Sequence, residues 1–254
     1  MQRRHLVIFG FLIAVLVVIR LVAMARDVPL GEPHPVDAPA AARATGLVLP
    51  ADLPRQVPEF LETGQNWRAA RALRGYLGRR DDPDPAAVLL AARAEAGWGG
   101  WENVRVLLEG EPWLDSIAGG EGWHLLGRAL EEDRKWEEAA AAYTRSLRAA
   151  GADTTRDRAL VTELRRGLVL LRLGQTEEGM EALERVRTHD PAVSGWAATL
   201  MAEALEERGD TARVRALLAG EAQGSPARMQ RAYVRAHLKA GDPAGARARA
   251  LDFR

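Results

Sequence analysis

From Trp123 to Leu147 the apolar side chains fall at Trp123, Leu126, Leu130, Trp136, Ala139, Tyr143 and Leu147. Steps of three and four residues line each half up on one face of a helix. Trp136 takes the second-helix position, so the stretch reads as two helices folded against each other. The same context recurs upstream in "GQNWRAARAL" around Trp67 and "GGWENVRVLL" around Trp101. Aligned on these positions the chain yields six units, with Trp67, Trp101, Trp136, Thr176, Thr211 and Pro243 in the same slot, at intervals of 34, 35, 40, 35 and 32 residues. An insertion, "GADTTR" at 151–156, accounts for the long interval. Turn glycines precede the slot at Gly99, Gly174, Gly209 and Gly241, and a small or modest residue follows three positions later: Ala70, Val104, Ala139, Gly179, Val214 and Ala246. A constant small residue lets two helix backbones approach closely. The pattern predicts an all-α chain of repeated helix pairs.

A period near 34 residues with Trp123, Leu126, Gly127, Leu130, Trp136, Ala139 and Tyr143 in one unit, and Gly167, Leu170, Gly174, Gly179, Leu183 and Pro191 in the next, resembles the tetratricopeptide repeat family. The resemblance covers residues 52–254 and implies a right-handed α-solenoid of about five to six repeats. The first unit departs most, because Pro54 and Pro58 interrupt its first helix. In that family the first helix of each pair lines a concave face that binds peptides or proteins. Carried over residue by residue, the face holds Arg93, then His124 and Arg128, then Leu164, Leu168 and Leu171, then Trp196, Thr199 and Glu203, then Arg231 and Arg235. A subclass grips a terminal carboxylate with a Lys/Asn clamp; the only asparagines here, Asn66 and Asn103, stand elsewhere, which argues against that ligand. Trp136 is expected to fill the joint between helices, since a single repeat cannot bury its apolar face alone.

The N-terminus follows another pattern. After Arg3 and Arg4 the residues from Leu6 to Ala25 are apolar save Gly10 and Arg20. Twenty residues make about 30 Å of helix, enough to cross a bilayer. Ala23-Met24-Ala25 also has the form of a leader-peptide cleavage site. The length and hydrophobicity of the run favour an anchor, with cleavage after Ala25 as the alternative. In both readings Arg3 and Arg4 stay cytoplasmic and the remainder is exported. Arg20 either snorkels to the headgroups or contacts a partner. Prolines 29, 33, 35, 39 and 50 then predict an extended linker over 26–51. The expected organisation is an anchor at 1–25, this linker, and a solenoid from 52 to 254.

Composition adds exclusions. Lys+Arg and Asp+Glu balance at 35 each, leaving no global footprint for nucleic acid. There is no cysteine, hence no disulfide, thiolate metal site or cysteine nucleophile. The five histidines at 5, 34, 124, 189 and 237 form no HExxH or other metal spacing, Ser194 lacks a nucleophile-elbow context, and "GWGGWEN" at 97–103 lacks the lysine of a phosphate loop. No enzyme activity, cofactor, metal or small-molecule substrate is expected. Charge is uneven: 11 acids against 5 bases from Arg93 to Ala142, and 7 bases against 2 acids from Ala227 to Arg254, a dipole that suits orienting a partner. Trp113, in the long loop "EGEPWLDSIAGGEG", and Phe253, near an uncapped end, are further candidate contacts, although folding back onto the core is the favoured explanation of Trp113. The expectation is a protein-binding scaffold: an accessory or assembly subunit on the outer side of the inner membrane, of respiratory, photosynthetic, cytochrome-maturation or secretion type. The alternative is a soluble periplasmic chaperone-like factor.

Overall fold

A computed structural model describes residues 47–151, 156–189, 191–219, 231, 234–235, 237–239 and 241–252, all of them within the unit Ala41–Arg254. The anchor and most of the linker, with Arg20, and also Phe253 lie outside the described residues. In chain order the helices are α1 (Gln56–Glu62), α2 (Asn66–Leu77), α3 (Pro85–Ala96), α4 (Trp101–Leu108), α5 (Glu121–Glu132), α6 (Trp136–Ala150), α7 (Arg156–Arg172), α8 (Thr176–His189), α9 (Pro191–Glu207), α10 (Thr211–Ala219) and α11 (Pro243–Asp252). Two short 3-10 turns, Pro112–Asp115 and Ala118–Gly120, join α4 to α5. Among the described residues there is no strand. From α1 to α10 each helix packs on the next, with next-but-one packing of α3 on α5 and of α7 on α9. That sequential order is compatible with an α-solenoid.

The core follows the same logic. Its buried residues form three successive clusters: one from Val57 to Ala94, one from Val88 to Val169, and one from Met180 to Val214. Each cluster draws on consecutive helices, as expected where a repeat touches only its neighbours.

The turns into α2, α4, α8, α10 and α11 place Gly64, Gly99, Gly174, Gly209 and Gly241 at φ between 70° and 90°. This left-handed region costs a Cβ-bearing residue about 1–2 kcal/mol. The turn into α6 puts Arg134 there instead, at φ 59°. Each left-handed residue stands two positions before its helix begins, which fixes the repeat register. In the first unit that register starts at Asn66, one residue before Trp67. Backbone bonding agrees: Ala69 donates to Gln65 as Val104 does to Gly100, Ala139 to Lys135, Gly179 to Gln175, Val214 to Asp210 and Ala246 to Asp242. Ala69 is accordingly the equivalent of Ala139, and both are fully buried. One residue is 100° of helix rotation, so Trp67 turns outward and is 53% exposed. Trp101 and Trp136, in register, are half-buried against the middle cluster.

Close approach of paired helices depends on glycine where an aromatic crosses. A Cβ on Gly127 of α5 would lie 2.6 Å from the ring of Tyr143 on α6, and that ring is fully buried. Between α7 and α8, Cβ atoms on Gly167 and Gly179 would each come within 2.9 Å of a leucine, Leu183 and Leu171 respectively. Pro58, expected to interrupt the first helix, sits at the third residue of α1, where a backbone N–H has no intrahelical acceptor to lose. Ahead of α1, Leu49 and Leu53 pack on the first cluster. Asp52 accepts from the Tyr76 hydroxyl at 2.8 Å and pairs with Arg80, fastening this strand of chain to the end of α2.

Candidate functional site

After α1, the first helices of successive pairs are α3, α5, α7 and α9. Glu121, His124, Arg128 and Glu131 repeat along α5 at steps of three and four residues, forming one stripe. Arg158, Thr162 and Arg165 form the facing stripe of α7. The two meet rung by rung. Arg158 donates to Glu121 at 3.1 Å and to the carbonyls of Ala118 and Gly119. His124 Nδ1 lies 2.8 Å from the Thr162 hydroxyl, which is also in bonding reach of the Arg158 carbonyl. Arg165 pairs with Glu131 at 3.3 Å. On the other side Arg93 of α3 reaches Glu121 through two bonds of 2.5 and 2.7 Å. Charge-assisted bidentate pairs of this kind are the strong ones.

The electrostatics follow from burial. Arg93 and Glu121 have side chains only 8% and 15% exposed. Burial lowers the pKa of Arg158, Glu121 pushes it back up, and neighbouring Arg93 lowers it again. Glu131 also accepts from the Tyr143 hydroxyl at 2.6 Å; burial, with Glu131 beside it, pushes that phenol well above its ordinary value. On α7, burial works to raise the Glu163 pKa, but hydrogen bonds from Arg166 and Arg185 prevail and hold it below the usual carboxylate value.

The positions expected to line a binding face therefore separate. Arg93, His124 and Arg128 come together on the α3–α5–α7 stripe, and each is engaged there. Arg128 pairs with Glu131 and Glu132 and stacks 4.9 Å from the Trp101 ring centroid. Leu164, Leu168 and Leu171 are half-buried against the third core cluster. On α9, Trp196 and Glu203 are half-buried, while Thr199 is buried and donates to the Gly195 carbonyl at 2.7 Å. Arg231 is exposed. Arg235 is paired with Glu206, which also holds Lys239 at 3.0 Å. Trp113 is half-buried in the first 3-10 turn against the middle cluster, next to fully buried Leu114.

Residues that sequence reasoning did not single out do much of the joining. Glu121 and Glu131 stand three positions before His124 and three after Arg128, a spacing that would have found them. Glu95 gives no such signal. It is 2% exposed and accepts from Arg74, from the Trp98 indole and from Asn103 at 2.7, 3.1 and 3.0 Å. The glycines of "GWGGW" make room for this arrangement, since a Cβ on Gly100 would sit 2.5 Å from Glu95.

No protein-family model matches the chain, and no curated protein matches it. The site is therefore read on its geometry. Among the described residues no group of three or more acidic or histidine side chains is placed to hold a metal ion, and no helix is long and apolar enough to cross a membrane. The carboxylates of the stripe face guanidinium groups at bonding distance, an arrangement that joins helices.

Proposed function

We propose that this protein is a non-catalytic protein–protein interaction scaffold, anchored to the inner membrane by residues 6–25, with its helical repeats on the outer side as a right-handed tetratricopeptide-like solenoid. Its partners are the exported parts of a neighbouring membrane complex, which it serves as an accessory or assembly subunit. The observation that carries the reading is the packing of each helix on the next in chain order from α1 to α10. Such a chain builds an extended, repetitive surface rather than a single enclosed pocket. Because the α3–α5–α7 stripe is internally paired, partner recognition falls to exposed positions outside it, Arg231 among them.

Purification of the full chain through a C-terminal tag, from native membranes in a gentle detergent, tests this reading. An intact mass that includes residues 1–25, with integral-membrane partners in constant ratio, is expected. A mass beginning at Arg26 with no constant partner supports the soluble chaperone-like alternative, which Ala23-Met24-Ala25 motivates.

A further inference from the structure

The register slip of the first unit leaves an indole exposed, whereas the other second helices half-bury theirs or have none. Trp67 is 53% exposed, and Trp98, in the turn between α3 and α4, is 50% exposed. The two are chain neighbours of a bonded pair, since the Asn66 amide donates to the Gly97 carbonyl at 3.1 Å. Trp67 stands on the outer face of α2. This helix contains no acidic residue, and Arg68, Arg71 and Arg74 are exposed along it. Arg68 stacks 5.3 Å from the centroid of Trp67. Arg74 and the Trp98 indole share buried Glu95, which fixes them on one surface. Exposed carboxylates nearest in sequence, Glu62 and Asp81, lie before and after the helix; Glu102, at the start of α4, is the exposed acid nearest Trp98 in sequence.

We infer that the outer face of α2, with Trp67, Trp98, Arg68 and Arg71, docks on an anionic phospholipid surface. Indoles favour the headgroup boundary, where an apolar ring and a polar N–H are both accommodated. Arginine adds attraction to anionic headgroups that decays within a Debye length. The apolar segment 6–25 supplies the bilayer, and this inference rests on that part of the proposed function. The 21 residues from 26 to 46 span at most about 70 Å, so the tether keeps α2 near the membrane at high effective concentration.

The test uses the full chain with vesicles of brominated phosphatidylcholine, with and without phosphatidylglycerol, reading tryptophan quenching and flotation together. Stronger quenching with phosphatidylglycerol is expected, reduced by Trp67→Phe/Trp98→Phe and suppressed in about 1 M salt, where the Debye length is about 3 Å. Neutralising an arginine should weaken docking about fivefold, and Arg68→Gln/Arg71→Gln about 25-fold; both side chains are exposed, so the melting temperature should hold. Flotation with equal quenching in both lipids overturns the inference and leaves the anchor standing. Failure to float on phosphatidylcholine defeats the anchor reading, while arginine-dependent binding to phosphatidylglycerol would still uphold the α2 face. Lipid quenching that survives Arg68→Gln/Arg71→Gln, with loss of a co-purifying protein, assigns the face to a protein and overturns the lipid docking.

Discussion

Arg93 of α3 and Arg71 of α2 are the same residue on adjacent helices, in opposite surroundings. Arg93 is buried, with two short bonds to Glu121. Arg71 is exposed on a helix without a single carboxylate. A buried guanidinium is tolerable only with its partner in place, because removing the partner strands a charge away from water. An exposed one adds little to stability and remains available to bind. The comparison separates the arginines that hold helices together from those that face outward, a distinction that helical spacing alone does not draw.

The largest way to break the inner side is Glu121→Gln, which withdraws charge from Arg93 and Arg158 together. A loss of about 3–5 kcal/mol is expected, visible as a fall in melting temperature by far-UV circular dichroism. Next is Gly127→Ala, which drives a methyl group against the buried Tyr143 ring and should cost about 1–3 kcal/mol by overpacking; an unchanged melt would mean that α5 and α6 can separate freely. A third effect depends on pH. The folded pKa of Glu163 lies below its ordinary 4.5. Between the two values the unfolded chain binds more protons than the native one, so this group's contribution is complete above about 4.5 and fades as pH falls through the folded value. Glu163→Gln should flatten that part of the acid limb, as measured by melting temperature against pH. The smallest effect belongs to the outer side: Arg71→Gln should leave stability within about 0.5 kcal/mol.

Helix pairs and their period were legible because the units repeat one apolar spacing and most of them one turn glycine. Gly174, Gly209 and Gly241 mark their turns outright. The third unit was legible despite Arg134 in the left-handed position, since Trp136, Ala139 and Tyr143 kept the phase. The first unit misled by one residue. Trp67 resembles Trp101 in type, yet Gly64 and the bonding of Ala69 set the register at Asn66. The site was legible only as positions. His124 and Arg128 were found as members of a helix face, but their partners Thr162, Glu131 and Glu132 lie on a neighbouring helix or a turn away, and a pattern of spacings within one helix carries no information about which side chain a neighbour presents. Glu95 was illegible for the same reason: its three donors come from α2, from the turn after α3 and from α4.

The most direct measurement is a paired melt of Arg93→Gln and Arg71→Gln in the full chain, under one detergent condition. Arg93→Gln should lose about 3 kcal/mol, leaving Glu121 short of its closest partner, while Arg71→Gln should melt with the wild type. Equal melting of both variants would contradict the division between arginines that join helices and arginines that face a partner.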